Sequence, residues 1–120
     1  MSSVTAAVHR TVEAVWRMES GRIIAALTRV LRDVGTAEEL AQDALVAALE
    51  QWPREGVPDN PAAWLTAAAK HRAIDRVRRR ALHERKAGEL TFELETQLAD
   101  AAPNLEREIE RALDDLIGDD

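Results

Sequence analysis

The chain has 120 residues, 46% hydrophobic and 32% charged, the balance of a single soluble globular domain and not of a disordered tail. It has no cysteine, which excludes disulfide scaffolds, thiolate zinc sites and cysteine nucleophiles. No apolar run approaches the roughly 20 residues of a membrane span, and no basic stretch leads into an apolar core at the N-terminus, so the expected setting is cytoplasmic with no membrane partner.

Ala, Leu, Glu and Arg abound, while there are five glycines, one phenylalanine and no tyrosine, which favours an all-α protein. Val8, Val12, Val15 and Trp16 recur at helical spacing and predict a first helix from Val4 to Arg17. Ser20 is placed to cap a second helix, with Ile23, Ile24, Leu27, Val30, Leu31 and Val34 on one stripe and Gly35 as its end. Thr36 with Glu39 three residues on reads as a capping box. A third helix then starts at Ala37, striped by Leu40, Ala44, Leu45, Ala48, Leu49 and Trp52. Pro53, Gly56, Pro58 and Pro61 interrupt the pattern, and Pro53–Asn60 reads as a loop. Asn60 suits an N-cap and Pro61 a first helical turn, so a fourth helix runs from Pro61 to near Lys86. Residues 87–102 read as a linker, or as a short helix on Leu90, Leu94 and Leu98. Pro103 and Asn104 open a last helix carrying Leu105, Ile109, Leu113, Leu116 and Ile117. The expected fold is a compact three- to four-helix bundle, a linker and a short amphipathic C-terminal helix. That last helix folds back, pairs with a second copy, or leads into a further domain.

The net charge of −6 conceals an uneven distribution. Residues 70–86 carry 8 basic and 2 acidic side chains, whereas residues 87–120 carry 2 basic and 11 acidic ones. A basic segment on an acidic protein suits a local polyanionic partner, or is a solvated face offset by its neighbours. Arg72, Arg76, Arg79 and His83 share one side of the fourth helix, at spacings of 4, 3 and 4, opposite Ala63, Ala67, Ile74, Val77 and Ala81. Leu65, Ala68 and Ala69 lie on the arginine side too, so the N-terminal half of this helix is expected to be embedded on one face and the C-terminal half on another. Several arginines on a projecting helix can engage several phosphates at once. Trp64, His71, Asp75 and Arg78 form an intermediate strip within reach of bases, although Trp64 fits a core position equally well. On the third helix Glu39, Gln42, Asp43 and Glu50 face away from the leucines, as a solvated face or as a docking surface for a basic partner.

Nothing points to catalysis or to a cofactor. His83-Glu84 is not followed by a second His at metal spacing, and no glycine-rich loop follows a strand. The chain is expected not to be an enzyme and to hold no cofactor or metal.

The run Ala37-Glu38-Glu39-Leu40-Ala41-Gln42-Asp43-Ala44-Leu45 resembles region 2.2 of bacterial extracytoplasmic-function (ECF) sigma factors. Downstream, Asn60-Pro61-Ala62-Ala63-Trp64-Leu65 and Ala73-Ile74-Asp75-Arg76-Val77-Arg78-Arg79-Arg80 resemble regions 2.3 and 2.4, with the motifs in order and a Pro/Gly loop between them. The resemblance covers about residues 4–86. It implies that Glu38, Glu39, Leu40, Gln42 and Asp43 dock on the β′ coiled coil of core RNA polymerase. It also implies that the following loop and helix bind the non-template strand of the promoter −10 element, with one base held under the loop. On this carry-over the loop from Trp52 through Arg54 to Asn60 is the pocket wall. Trp64, Lys70, His71, Arg72, Asp75, Arg76, Arg78, Arg79 and Arg80 then lie on the DNA-facing helix. A melted strand needs such a cationic track and a shaped or stacking pocket. Position 71 is His, after Lys70, where the family pattern has Asn after Arg. An amide and an imidazole differ in donors and reach, so the base preference does not carry over. The family's region 4, which reads the −35 element, has no counterpart here. Residues 1–86 are thus expected to be region 2, and residues 87–120 an acidic linker and the start of a further domain. The acidic segment would keep the basic helix off non-specific duplex, or lie over it. An anti-sigma factor is a further partner that the resemblance leaves room for. The reading from another class is a helical interaction module, an adaptor or sequestering regulator, that binds no DNA.

Overall fold

The computed structural model describes residues 3–87 and 106–115. Among the described residues there are four helices and no strand: α1 (Ser3–Leu31), α2 (Val34–Glu55), α3 (Pro61–Ala87) and α4, residues 106–115.

The two helices expected before Gly35 are one. α1 runs unbroken through Ser20 and Gly21. The apolar stripe explains it: Val8, Val12, Val15 and Trp16 continue in phase into Ile23, Ala26, Leu27 and Val30, all in the core or packed on it. A glycine inside a helix costs about 1 kcal/mol relative to alanine. Burying a single large aliphatic side chain contributes about 1.5–3 kcal/mol, so a continuous stripe wins over the capping preference of Ser20.

The turn out of α1 falls earlier than Gly35. Arg32 adopts the left-handed conformation, φ 57°, and its N–H is donated to the Thr28 carbonyl at 2.8 Å. Asp33, not Thr36, is the N-cap of α2. Its Oδ1 accepts from the Gly35 and Thr36 N–H groups at 3.1 and 3.4 Å, while the Thr36 hydroxyl donates to Oδ2 at 2.8 Å. These bonds, the Thr36 hydroxyl foremost, hold the Asp33 carboxyl below its ordinary range. A depressed folded pKa stabilises the fold above the unfolded pKa, and that contribution is lost as pH falls through the folded value. Asn caps a helix about as well as Asp but does not titrate. In thermal melts the stability gap between wild type and Asp33→Asn should therefore narrow as pH falls below about 4. A gap that stays constant over that range contradicts this account.

α2 passes through Pro53 and ends at Glu55, so the loop is 56–60 and not 53–60. In a last turn proline forfeits a single backbone bond. Gly56, at φ 95°, closes the helix by donating its N–H to the Trp52 carbonyl at 2.8 Å. Asn60 caps α3 as expected, its Oδ1 accepting from the Ala63 N–H at 3.1 Å.

The core lies where α1, α2 and α3 meet. Val12, Ile23 and Leu27 come from α1, and Leu40, Ala44, Ala48 and Trp52 from α2. Leu65, Ala69 and Ala73 come from α3. The last helix joins it: Ile109 and Leu113 of α4 are fully buried. Of the three courses open to the C-terminal helix, its described residues take the first and fold back onto the core of residues 3–87. Leu105, Leu116 and Ile117, the start at Pro103, and the alternative helix on Leu90, Leu94 and Leu98 lie outside the described residues.

Candidate nucleic-acid interface

The buried face of α3 rotates along its length, as its sequence predicts. Leu65, Thr66 and Ala69 are buried in the first half, and Ala73, Ile74 and Val77 in the second, a shift of roughly a quarter-turn at 3.6 residues per turn. The face that carried Leu65 inward therefore comes out to solvent carrying Arg76 and Arg79. With Arg80, Leu82 and His83 they line an open groove of about 500 Å³. His83 was visible in the sequence on this face, whereas the half-exposed Leu82 was not.

A second cleft, of about 360 Å³, lies toward the start of α3. Trp64, His71 and Arg72 line it together with Ala67, Ala68 and Gln51. Gln51 was missed by sequence reasoning. It is polar, lies in the penultimate turn of α2, and its place at the cleft depends on how α2 crosses α3. The half-buried Trp64 is braced by Trp52, the two rings meeting edge to face with centroids 5.4 Å apart and planes at 77°. Trp64 is thus both a partial core residue and a cleft wall. Trp52 is not on a surface at all. It is 1% exposed, and its indole Nε1 has no hydrogen-bond partner among the described residues. The expectation of Trp52 on the pocket wall is replaced by one in which it holds Trp64 from behind. Arg54 and Asn60 are exposed, Arg54 donating to the Glu50 carbonyl at 3.2 Å and Asn60 serving as the α3 cap.

Five cations of α3 fall into three sets by their partners. Among the described residues Arg72 and Arg79 are tied only within their own helix, Arg72 to the Ala68 carbonyl at 3.2 Å and Arg79 to Asp75 at 2.8 Å. Arg76 crosses to α2 and pairs with Glu39 at 2.9 Å. Lys70 and Arg78 turn to α4: Lys70 pairs with Asp114 at 3.1 Å, and Arg78 grips Glu106 through both Nε and Nη2, the latter at 3.1 Å. The bond to Glu106 raises the Arg78 pKa further above its ordinary value. His71, Asp75 and Arg80 are exposed.

The acidic face of α2 is where the sequence placed it. Glu38, Glu39, Gln42 and Asp43 are exposed, with Val46 half-exposed beside them. Leu40 is the exception among the five residues expected to dock: it is 2% exposed and supports this face from the core. Among the described residues no helix is long and apolar enough to cross a membrane, and no three His, Asp or Glu side chains are grouped to hold a metal ion.

Residues 15–83 match the sequence pattern of the sigma-70 region 2 family. An uncharacterized protein of Rhizobium meliloti (strain 1021) is 48% identical over 54 residues, 45% of this chain and 13% of that protein. ECF RNA polymerase sigma factor SigK of Mycobacterium sp. (strain KMS) is 41% identical over 69 residues, 54% of this chain and 34% of that protein. The SigK of Mycobacterium sp. (strain JLS) matches to the same extent. The chain spans about a third or less of the length of these relatives. No solved structure matches it significantly.

Proposed function

Since the chain belongs to the sigma-70 region 2 family, a non-enzymatic transcription-initiation module, we propose that it docks on core RNA polymerase through α2 and takes the promoter −10 non-template strand along α3. The observation that carries this reading is the placement of two surfaces of opposite sign on adjacent helices, joined at their edge by the Arg76–Glu39 pair. Glu38, Glu39, Gln42 and Asp43 face solvent on α2, while Arg76, Arg79, Arg80 and His83 line the groove of α3. The acidic face suits the basic side of a polymerase coiled coil. The groove suits a phosphate backbone, and the cleft at Trp64, His71 and Arg72 suits a splayed base, since stacking on an aromatic ring contributes about 1–3 kcal/mol per base.

The test is fluorescence anisotropy of a labelled −10 non-template oligonucleotide library, with and without core polymerase, at two salt concentrations. Sequence-selective binding that appears or tightens with polymerase supports the reading. Binding absent in both settings, at low salt, overturns it in favour of a helical interaction module. On the other surface, Glu39→Lys with Asp43→Lys should weaken polymerase binding by about tenfold, mainly through the on-rate, because rim charges act chiefly by steering. Polymerase affinity unchanged by that double reversal removes α2 from the docking surface.

A further inference from the structure

α4 is anchored on α3 in a defined register. Its contacts run Glu106 to Arg78 and Asp114 to Lys70, so the two helices are antiparallel over eight residues of each. Eight residues rise about 12 Å in either helix, which is why both pairs close at once. Ile109 and Leu113 lie between these pairs in the sequence of α4 and point into the core. The outward side chains include Glu108, Glu110 and Asp115. Within residues 106–115 there are five acidic and two basic side chains, so the docked helix is anionic.

We propose that α4 is a cis-acting anionic strap: it occupies Lys70 and Arg78, two cations of α3 that lie outside the arginine groove, so that α4 docking and capture of a nucleic-acid backbone exclude each other at these positions. The inference rests on the reading that α3 binds DNA, and it adds a device that restrains that binding. Apolar anchoring and ionic pairing have separate roles in the strap. Burial of Ile109 and Leu113 keeps α4 on the bundle, and exposed ion pairs add little to stability. The pairs instead neutralise cations that would otherwise release counterions to a bound strand. Glu110 also acts on Arg78 through space, so a strand approaching Arg78 meets negative charge as well as an occupied donor.

Stability and restraint can therefore be separated by substitution. Glu106→Gln with Asp114→Asn leaves Ile109 and Leu113 in place and removes the two competing carboxylates. The experiment titrates a labelled 20-nucleotide −10 non-template strand into the full chain and into this double variant from 50 to 300 mM salt, with and without core polymerase. The variant should bind about tenfold or more tightly at 50 mM. Its salt slope should be steeper by about 1.4, which is two further phosphates at about 0.7 each. In the wild type, hydrogen exchange of amides 109–114 should quicken several-fold when the strand is added. Equal affinities and equal slopes for the two chains, or exchange unchanged by the strand, overturn the strap while leaving the DNA-binding reading intact. If neither chain binds under any of these conditions, the reading of α3 itself fails and the strap with it.

Discussion

Replacing Arg72 and Arg79 together with glutamate should lower single-strand affinity by about two orders of magnitude at 50 mM salt while the helical bundle stays folded. The two side chains are chosen by what they do not hold. Arg72 bonds to a carbonyl of its own helix and Arg79 to Asp75 one turn back. Their loss thus breaks no ion pair between helices, whereas Arg76 joins α3 to α2 through Glu39. A glutamate at position 79 sets like charges one turn apart, against Asp75, which costs a few tenths of a kcal/mol, about 0.2–0.5. On the binding side, each neutralised phosphate contributes about 0.7 to the salt slope on a single strand, so two lost contacts flatten it by about 1.4. Polymerase affinity, which on the proposed reading depends on α2, should stay within about twofold. Anisotropy titrations at several salt concentrations, with circular dichroism as the check on folding, measure all of this. DNA affinity and salt slope both unchanged in a folded variant would show that the strand does not run along this face. An equal fall in polymerase and DNA binding would show that the two surfaces are not independent.

The parts of this site that the sequence made legible are those fixed by helical periodicity. Arg72, Arg76, Arg79 and His83 fall on one face because 3.6 residues make a turn, and no tertiary knowledge is needed to see it. The cap at Asn60 followed from a side chain and a proline adjacent in sequence. What escaped was decided by competition between local and long-range terms. Ser20 is a sound local cap, and it lost to a stripe that keeps phase from Val8 to Val30. Thr36 is a sound cap, and it lost to Asp33, which accepts the N–H groups of both Gly35 and Thr36 as well as the Thr36 hydroxyl. Pro53 read as a helix end, yet it sits in a last turn where it costs a single backbone bond. The direction in which α4 folds was open in the sequence, since Ile109 and Leu113 announce an apolar face without naming its partner. Lys70 and Arg78, spaced as Glu106 and Asp114 are, supply the register.

Trp52→Ala should be the most destabilising single change in the chain, by about 3–5 kcal/mol, the range for truncating a buried aromatic. For a domain whose whole stability is on the order of 5–15 kcal/mol, that approaches unfolding. Trp52 is the largest of the fully buried side chains and closes the seam between the end of α2 and the start of α3. Its edge-to-face contact with Trp64 adds about 0.5–1.5 kcal/mol beyond the area buried. The same residue carries a liability: a buried N–H without a partner costs about 1–3 kcal/mol. Phenylalanine removes that donor while keeping a ring in the seam, so Trp52→Phe should lose far less than Trp52→Ala in urea melts. The comparison also separates support from contact. If Trp52 works only by bracing Trp64, Trp52→Phe binds the −10 strand nearly as well as wild type. Trp64→Ala, which strips the ring from the cleft beside His71 and Arg72, should instead lose about 1–3 kcal/mol of binding, the worth of one stacked base. A Trp52→Phe chain of near-native stability that no longer binds the strand would return Trp52 to the pocket wall. The loop would then have to open in the complex, because a side chain that is 1% exposed cannot touch a base without such a movement.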